Sequence, residues 1–428
     1  MSLRRADACP RAPRLRGLCV LGGAALAKAE PCGLTGQGDG HVRGFKKQRM
    51  TKMLCSSELI ALVHRGQQVA TLGSGRFGTV SAYRRDGEGG ELLIAIKKYR
   101  RDGPALARAE RIIEERNSLQ QIGHGNPYVV HLLGTVKDDD YLYFALSPIL
   151  GGPLHKHVLR AAGKIGLHAV RSMAAEVLCA LRHLAKHGVV HRDVKLSNVL
   201  LNERGHVVLC DFSSAKWIRE NNDCTHLVDL KTTHTITGST HSMAPEMLSG
   251  MGHSFPVDWW ALGILVHEMI TGEPFPWNRP SRGSDASVVL LEKAAVKALL
   301  ESDEEEPEDI LGCWKCVEIT PSIFGHELYN FGGARDLVSL LLTTRPDHRW
   351  GRLLDRGSFP LRVCSFFDAL ERHAFFEQVD WNAVHAGTCP PSYPDFDPRL
   401  GFLELIRSCP QQQEADISPE DQALFAIF

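Results

Sequence analysis

His191-Arg192-Asp193-Val194-Lys195-Leu196-Ser197-Asn198 is the stretch whose reading decides the fold. A helical pattern ends just before it, and Val199-Leu200-Leu201 follows it as a short strand. Within six residues the loop sets out a carboxylate, an ammonium and a carboxamide. A second carboxylate, in Asp211-Phe212, comes after the β-branched pair Val207-Val208. Asn198 and Asp211 carry hard oxygen donors, Asp193 a carboxylate and Lys195 a cation.

Upstream, Gly73-Ser74-Gly75-Arg76-Phe77-Gly78-Thr79-Val80 lies between two strand patterns. Glycines let backbone N–H groups approach phosphate oxygens with no Cβ in the way. The G-x-G-x-x-G spacing alone also fits a dinucleotide fold, which needs a helix after the loop. Here Val80-Ser81-Ala82-Tyr83 continues as a strand, the hairpin form that covers nucleotide phosphates. Nineteen residues past Gly78 comes Ile94-Ala95-Ile96-Lys97. A lysine on a buried strand is costly without an anionic partner, and ATP phosphates supply one. Glu115, eighteen residues further on, is the candidate ion-pair partner of Lys97, with Glu114 as its rival.

The wider chain reads as a strand-rich part followed by a helix-rich part. Val69–Leu72, Thr79–Tyr83 and Leu92–Lys98 read as strands, with Arg84–Gly90 as a hairpin turn. Helical patterns cover 105–121, 167–187, 256–272 and 333–343. The length of 428 residues allows two or three domains or one large bilobal one. With 43% hydrophobic and 23% charged residues, disorder throughout, collagen and a coiled-coil rod are excluded. Lys+Arg total 49 against 50 Asp+Glu, so no global basic field exists and no specific nucleic-acid binding is expected.

In these motifs, in their order and spacing, the chain resembles the eukaryotic protein kinase family from the glycine loop to about residue 378. The resemblance implies an α+β bilobal fold, a small β-rich lobe and a larger helical one, acting on ATP and Mg²⁺ with protein substrates. It implies catalytic roles for Asp193, Lys195, Lys97 and Glu115, and metal ligation by Asn198 and Asp211. Gly73, Ser74, Gly75 and Gly78 would cover the phosphates; Val80, Ala95 and Leu200 would sandwich adenine. Leu146 falls at the gatekeeper position and Ser147-Pro148-Ile149 at the hinge. Leu119, Leu132, His191 and Phe212 match the hydrophobic spine, anchored by Asp258; for the apolar ones a plain core role is compatible. Glu246 of Met243-Ala244-Pro245-Glu246 should pair with Arg349. Lysine two residues after Asp193 is the serine/threonine pattern.

Asp258-Trp259-Trp260-Ala261-Leu262-Gly263 and His373-Ala374-Phe375-Phe376, with Trp381, Pro390-Pro391 and a terminal Phe425-Ala426-Ile427-Phe428, resemble the AGC group, that of protein kinases A, G and C. In that group the terminal motif folds onto the small lobe; a frayed apolar tail is the plainer reading. Thr235 falls at the group's activation-loop phosphosite for an upstream kinase, with Arg192 and Lys216 placed to receive the phosphate and Thr232, Thr233 and Thr237 as rival sites. Three departures stand out. Ser213 replaces the glycine after Asp211-Phe212, which raises a nucleotide-binding pseudokinase, a scaffold or allosteric partner, as the alternative to an active enzyme. Pro153, Ser197 and Glu268 fall where basic-substrate kinases carry acids. Residues 395–405 hold Phe396 and Phe402 but no acidic run to cross the ATP site.

The expected organisation is a basic extension at 1–57, a small lobe at 58–147, a large lobe at 148–378 and a tail at 379–428. The first 55 residues hold eleven Lys/Arg against three Asp/Glu and read as a disordered leader, with signal- or transit-peptide mimicry as the rival reading. Lys46, Lys47 and Arg49 are weak evidence for nuclear import. The acidic run at 301–309 reads as a solvated loop. No run of 18 apolar residues occurs. Twelve scattered cysteines and no Asn-x-Ser/Thr sequon favour a cytosolic or nuclear chain. Cys210 reads as an inert buried residue or a reactive thiol beside the nucleotide. The lone Cys313-Trp314-Lys315-Cys316 lacks a second ligand pair for zinc. A monomer is expected.

Overall fold

The computed structural model describes residues 53–75, 78–87, 90–101, 105–161, 165–218, 232–248, 250, 252–275, 332–351, 362–393 and 396. The basic leader before residue 53, the acidic run, the Cys313–Cys316 pair, Phe402 and Phe425–Phe428 lie outside them.

The small lobe is a five-stranded antiparallel sheet of order β1-β2-β3-β5-β4. Its strands are β1 (Gln67–Gly75), β2 (Gly78–Gly87), β3 (Gly90–Arg100), β4 (Leu132–Lys137) and β5 (Tyr141–Leu146). Strand β3 shows why the sheet forms where it does. Side chains alternate across a strand, so Ile94 and Ile96 face one side while Ala95, Lys97 and Tyr99 face the other. The first pair joins a small core with Leu133, Tyr143 and Ala145. Helix α1 (Ser56–Arg65) covers that core with Leu59 and Leu62. On the other side of β3, Ala95 and Tyr99 join the main core, as does helix α2 (Ala105–Ile122) through Ile112 and Leu119.

Two sequence expectations need correction here. Arg84–Gly90 is not a long turn: Arg84↔Leu93, Arg85↔Leu92 and Asp86↔Glu91 stay in register to the Gly87↔Gly90 pair. Charged residues flanked by glycines look like a turn, but the backbone pairing continues. Helix α1 has no counterpart in the sequence reading. Its N-cap is Cys55, with the Glu58 carboxylate accepting from the Cys55 N–H at 3.0 Å. That is the reciprocal half of a capping box on a residue outside the usual Ser/Thr/Asp/Asn set.

The large lobe contains α3 (Leu154–Ala161), α4 (Leu167–Lys186), α5 (Pro245–Leu248), α6 (Pro256–Thr271), α7 (Ala334–Leu341), α8 (Pro346–Gly351), α9 (Val363–Glu371) and α10 (Trp381–Ala386). Helix α6 is buried on every side from Pro256 to Ile270, as a helix apolar but for Asp258, His267 and Glu268 tends to be. Pro256 at its start and left-handed Gly272 at its end delimit it. Two short antiparallel pairs complete the lobe: β6 (Val189–Val190) with β9 (Lys216–Trp217), and β7 (Val199–Leu201) with β8 (Val207–Leu209). These place the loop at 191–198 and Asp211 beneath the small-lobe sheet. No described helix is long and apolar enough to cross a membrane.

Candidate active site

A cleft of about 430 Å³ opens between the sheet and the β7–β8 pair. Gly73, Gly78, Val80, Ala95, Lys97, Leu146 and Leu200 line it together with Glu115, Asn198, Asp211 and Phe212. Ser74 and Gly75 lie in β1, where they pair with Thr79 and Gly78 at the hairpin end. The two lining glycines differ. Gly78 has φ +145°, and a Cβ there would come within 2.3 Å of the Lys98 carbonyl oxygen, so the backbone itself demands glycine. A Cβ on Gly73 would meet nothing within 4 Å. Packing does not require glycine there, and its absent side chain leaves room for a phosphate.

Lys97 stands between two carboxylates. Its Nζ lies 2.8 Å from Glu115 Oε1 and 2.9 Å from Asp211 Oδ1. Burial by itself favours the neutral amine, but Asp211 and then Glu115 outweigh it and hold Lys97 well above its usual value. Burial likewise favours a neutral Asp211, and Lys97 overrides it, so that carboxyl stays below the usual range. Tyr99, two residues along the same face of β3, donates its hydroxyl to Glu115 Oε2. Period-2 alternation from Lys97 was the signal that could have found it. Glu114 turns outward and pairs with Lys216 at 2.7 Å.

The catalytic loop is tied just as closely. Asp193 Oδ1 accepts from Ser239 N at 2.8 Å, and Oδ2 accepts from Lys195 Nζ at 2.9 Å and Asn198 Nδ2 at 2.8 Å. A carboxylate has about four acceptor positions, so one remains for a substrate hydroxyl. Ser239, which also bonds the Lys195 ammonium, went unread in the sequence because nothing local marks a residue 46 positions from Asp193. Both Asn198 amide hydrogens are drawn towards Asp193, by its carboxylate and its backbone carbonyl. That leaves the side-chain oxygen Oδ1 of Asn198 for a ligand, and with Asp211 it forms an all-oxygen donor set suited to magnesium.

Backbone conformation fixes this arrangement. Among the described residues, Arg192 (φ 64°) and Asp211 (φ 58°) are the non-glycine residues with positive φ, and strain of this kind clusters at functional sites. Asp258 accepts from the N–H groups of His191 and Arg192, each at 2.8 Å. The His191 ring packs edge-on against Phe212 at 4.8 Å, and Leu119 and Leu132 are buried in the same core. Ser213 lies in a short 3₁₀ turn outside the positive-φ set, and its N–H points to Asp211 Oδ1 at 3.4 Å. In this state serine is accommodated without the freedom of glycine.

Three expected contacts turn out differently or are sharpened. Lys216 is engaged by Glu114, so of the two cations proposed for Thr235 only Arg192 reaches that residue, through the Thr235 carbonyl at 3.3 Å. Thr235 is exposed, whereas the rival Thr237 is buried against Ser214. Cys210 is buried, and burial pushes its thiol up more strongly than Lys97 draws it down, which favours the inert reading. Further off, Arg349 grips Glu246 through two bonds of 2.9 and 3.2 Å.

A cleft with a glycine hairpin above, a lysine–glutamate pair behind and an Asp-Lys-Asn loop below defines a nucleotide-dependent phosphotransferase. The protein kinase domain family matches residues 67–355, so the chain belongs to the protein kinase family. Within it, the chain is a serine/threonine kinase of the AGC type. It is 31% identical to a cAMP-dependent protein kinase, catalytic subunit-like, of Caenorhabditis elegans, over 77% of this chain and 69% of that one. It is 30% identical to cAMP-dependent protein kinase catalytic subunit 3 of Drosophila melanogaster over 77% of this chain, and to serine/threonine-protein kinase YPK1 of Saccharomyces cerevisiae over 76%. It spans less than half the length of those last two, at 47% and 40%.

Proposed function

We propose that the chain transfers the γ-phosphate of ATP to serine and threonine hydroxyls of proteins. The observation that supports this most strongly is the convergence of Lys97, Glu115, Asp211, Asp193, Lys195 and Asn198 on one cleft. Val80, Ala95 and Leu200 give the adenine ring apolar walls, and the glycine hairpin lies over the phosphates. Lys97 holds phosphate oxygens, kept in place by Glu115. Asp193 orients the acceptor hydroxyl and takes its proton, and Lys195 neutralises charge on the moving group. Asn198 and Asp211 would hold magnesium, which when bound screens the charge between phosphates.

Phosphorylation of Thr235 by an upstream kinase fits its exposure and the nearby Arg192. Pro153 and Ser197 line the cleft without charge and Glu268 is buried, so a strict preference for arginine-rich substrates is not expected. The five cysteines described are all free, in keeping with a reducing cytosolic or nuclear setting. The test is phosphate transfer from γ-labelled ATP to a mixed Ser/Thr peptide library. Labelling that magnesium chelation abolishes supports the reading, and no transfer under any divalent cation refutes it.

A further inference from the structure

Away from the cleft, three chemically different ligands converge from three parts of the chain. Glu176 lies on α4, His206 in the turn between β7 and β8, and Cys389 just past α10. Their ligand atoms all lie within 4.8 Å of one another. His206 Nδ1 is 2.7 Å, and Cys389 Sγ 3.6 Å, from the same oxygen, Glu176 Oε1. The other oxygen, Oε2, accepts from Val207 N at 2.9 Å and Ser392 Oγ at 3.0 Å, which fixes the carboxylate. The Tyr128 hydroxyl, which donates to the Val384 carbonyl at 3.0 Å, lies 3.2 Å from the sulfur.

Hydrogen bonds alone could hold this cluster, with both neighbours donating to Oε1. The S···O and N···O edges also lie near those of an ion site. With Zn–S of about 2.3 Å and Zn–O of about 2.0 Å, a tetrahedral site has an S···O edge of roughly 3.5 Å. The observed 3.6 Å already meets it. The matching N···O edge is roughly 3.3 Å, so the imidazole would withdraw by about half an ångström. Glu176 is buried and the His206 side chain is 12% exposed, so a water as fourth ligand would enter beside Cys389, which is partly exposed.

We propose that Glu176, His206 and Cys389 bind one zinc-class divalent cation, with water completing the site. On binding, the Cys389 thiol releases its proton to solvent. The imidazole stays neutral, with its proton on Nε2 rather than Nδ1. Carboxylate and thiolate then balance the two positive charges. The ion clips the segment after α10 to the large lobe. That segment continues to Tyr393 and Phe396, whose rings pack on His157 at 6.0 and 5.4 Å. His157 in turn bonds the carbonyl of Gly151, next to the hinge, at 2.9 Å. The inference is independent of the catalytic reading.

The test is titration of the metal-stripped full chain with Co²⁺, followed by absorbance. The expected result is one equivalent bound with a thiolate-to-cobalt charge-transfer band, displaced by Zn²⁺. Cys389→Ser should abolish the band and His206→Gln should weaken binding by about 10-fold or more, while Cys364→Ser leaves it unchanged. If Cys389→Ser does not fold, His206→Gln decides alone. A missing one-to-one spectrum overturns the proposal. So does a band that survives Cys389→Ser in folded protein, or one lost on Cys313→Ser instead.

Discussion

Lys97 and Glu115 meet at 2.8 Å with both side chains buried, and Asp211 closes on the same ammonium from the other lobe at 2.9 Å. One cation therefore joins sheet, helix α2 and the start of the activation segment. Glu115→Gln should keep the fold, since Lys97 retains Asp211, but lose the charge that aims the lysine. A misplacement of about 1 Å costs roughly 10²-fold in rate, so kcat should fall on that order while nucleotide still binds. Steady-state kinetics beside a nucleotide-binding titration checks this.

The Glu246–Arg349 pair is structural. Arg349 is fully buried and also bonds the carbonyls of Pro256, Thr343 and Thr344. Arg349→Leu strands Glu246 in the core, and losing one partner of such a pair costs about 3–5 kcal/mol. Arg349→Lys should recover little, because an ammonium cannot reproduce the fork. Denaturant unfolding of both variants tests the claim.

Glu268 predicts a pH dependence. Burial raises its carboxyl from 4.5 to about 7, with only a 3.5 Å bond from Phe275 N to oppose it. Between those values the unfolded chain has lost a proton that the folded chain keeps, so stability falls as pH rises through this window and levels off above it. Glu268→Gln should match wild type near pH 4 and exceed it at pH 8 by on the order of 3 kcal/mol. A melting series across that range would show the divergence; a constant offset would contradict it.

Phosphate at Thr235 adds about −2 charge beside Arg192. Thr235→Ala should therefore match phosphatase-treated wild type, each roughly 10-fold below the phosphorylated enzyme, a shift of about 1.4 kcal/mol. Because Glu114 already holds Lys216, Glu114→Gln should widen that ratio by freeing a second cation. Full activity of Thr235→Ala would remove the site from regulation.

What was legible in the sequence was chemistry with fixed local spacing. The loop at 191–198, Asp211 and the Ile94–Lys97 strand all declare themselves through residue type and period. What was not legible came from distant parts of the chain. Ser239 reaches Asp193 only because the activation segment folds back over the loop. The choice between Glu114 and Glu115 depended on which face of α2 turns inward, and the structure settles it through Tyr99 and Lys216. Helix α1 hid behind a cysteine cap and two buried leucines, too short a pattern to read. Ser392 and Cys389 meet Glu176 across more than 200 residues.

The central claim is tested most directly by comparing wild type with Asp193→Ala for transfer of labelled phosphate from ATP to peptide serine and threonine. General-base positioning contributes about 10²–10⁴-fold, so the variant should lose at least two orders of magnitude while binding nucleotide unchanged. Equal labelling by the two proteins would contradict the account.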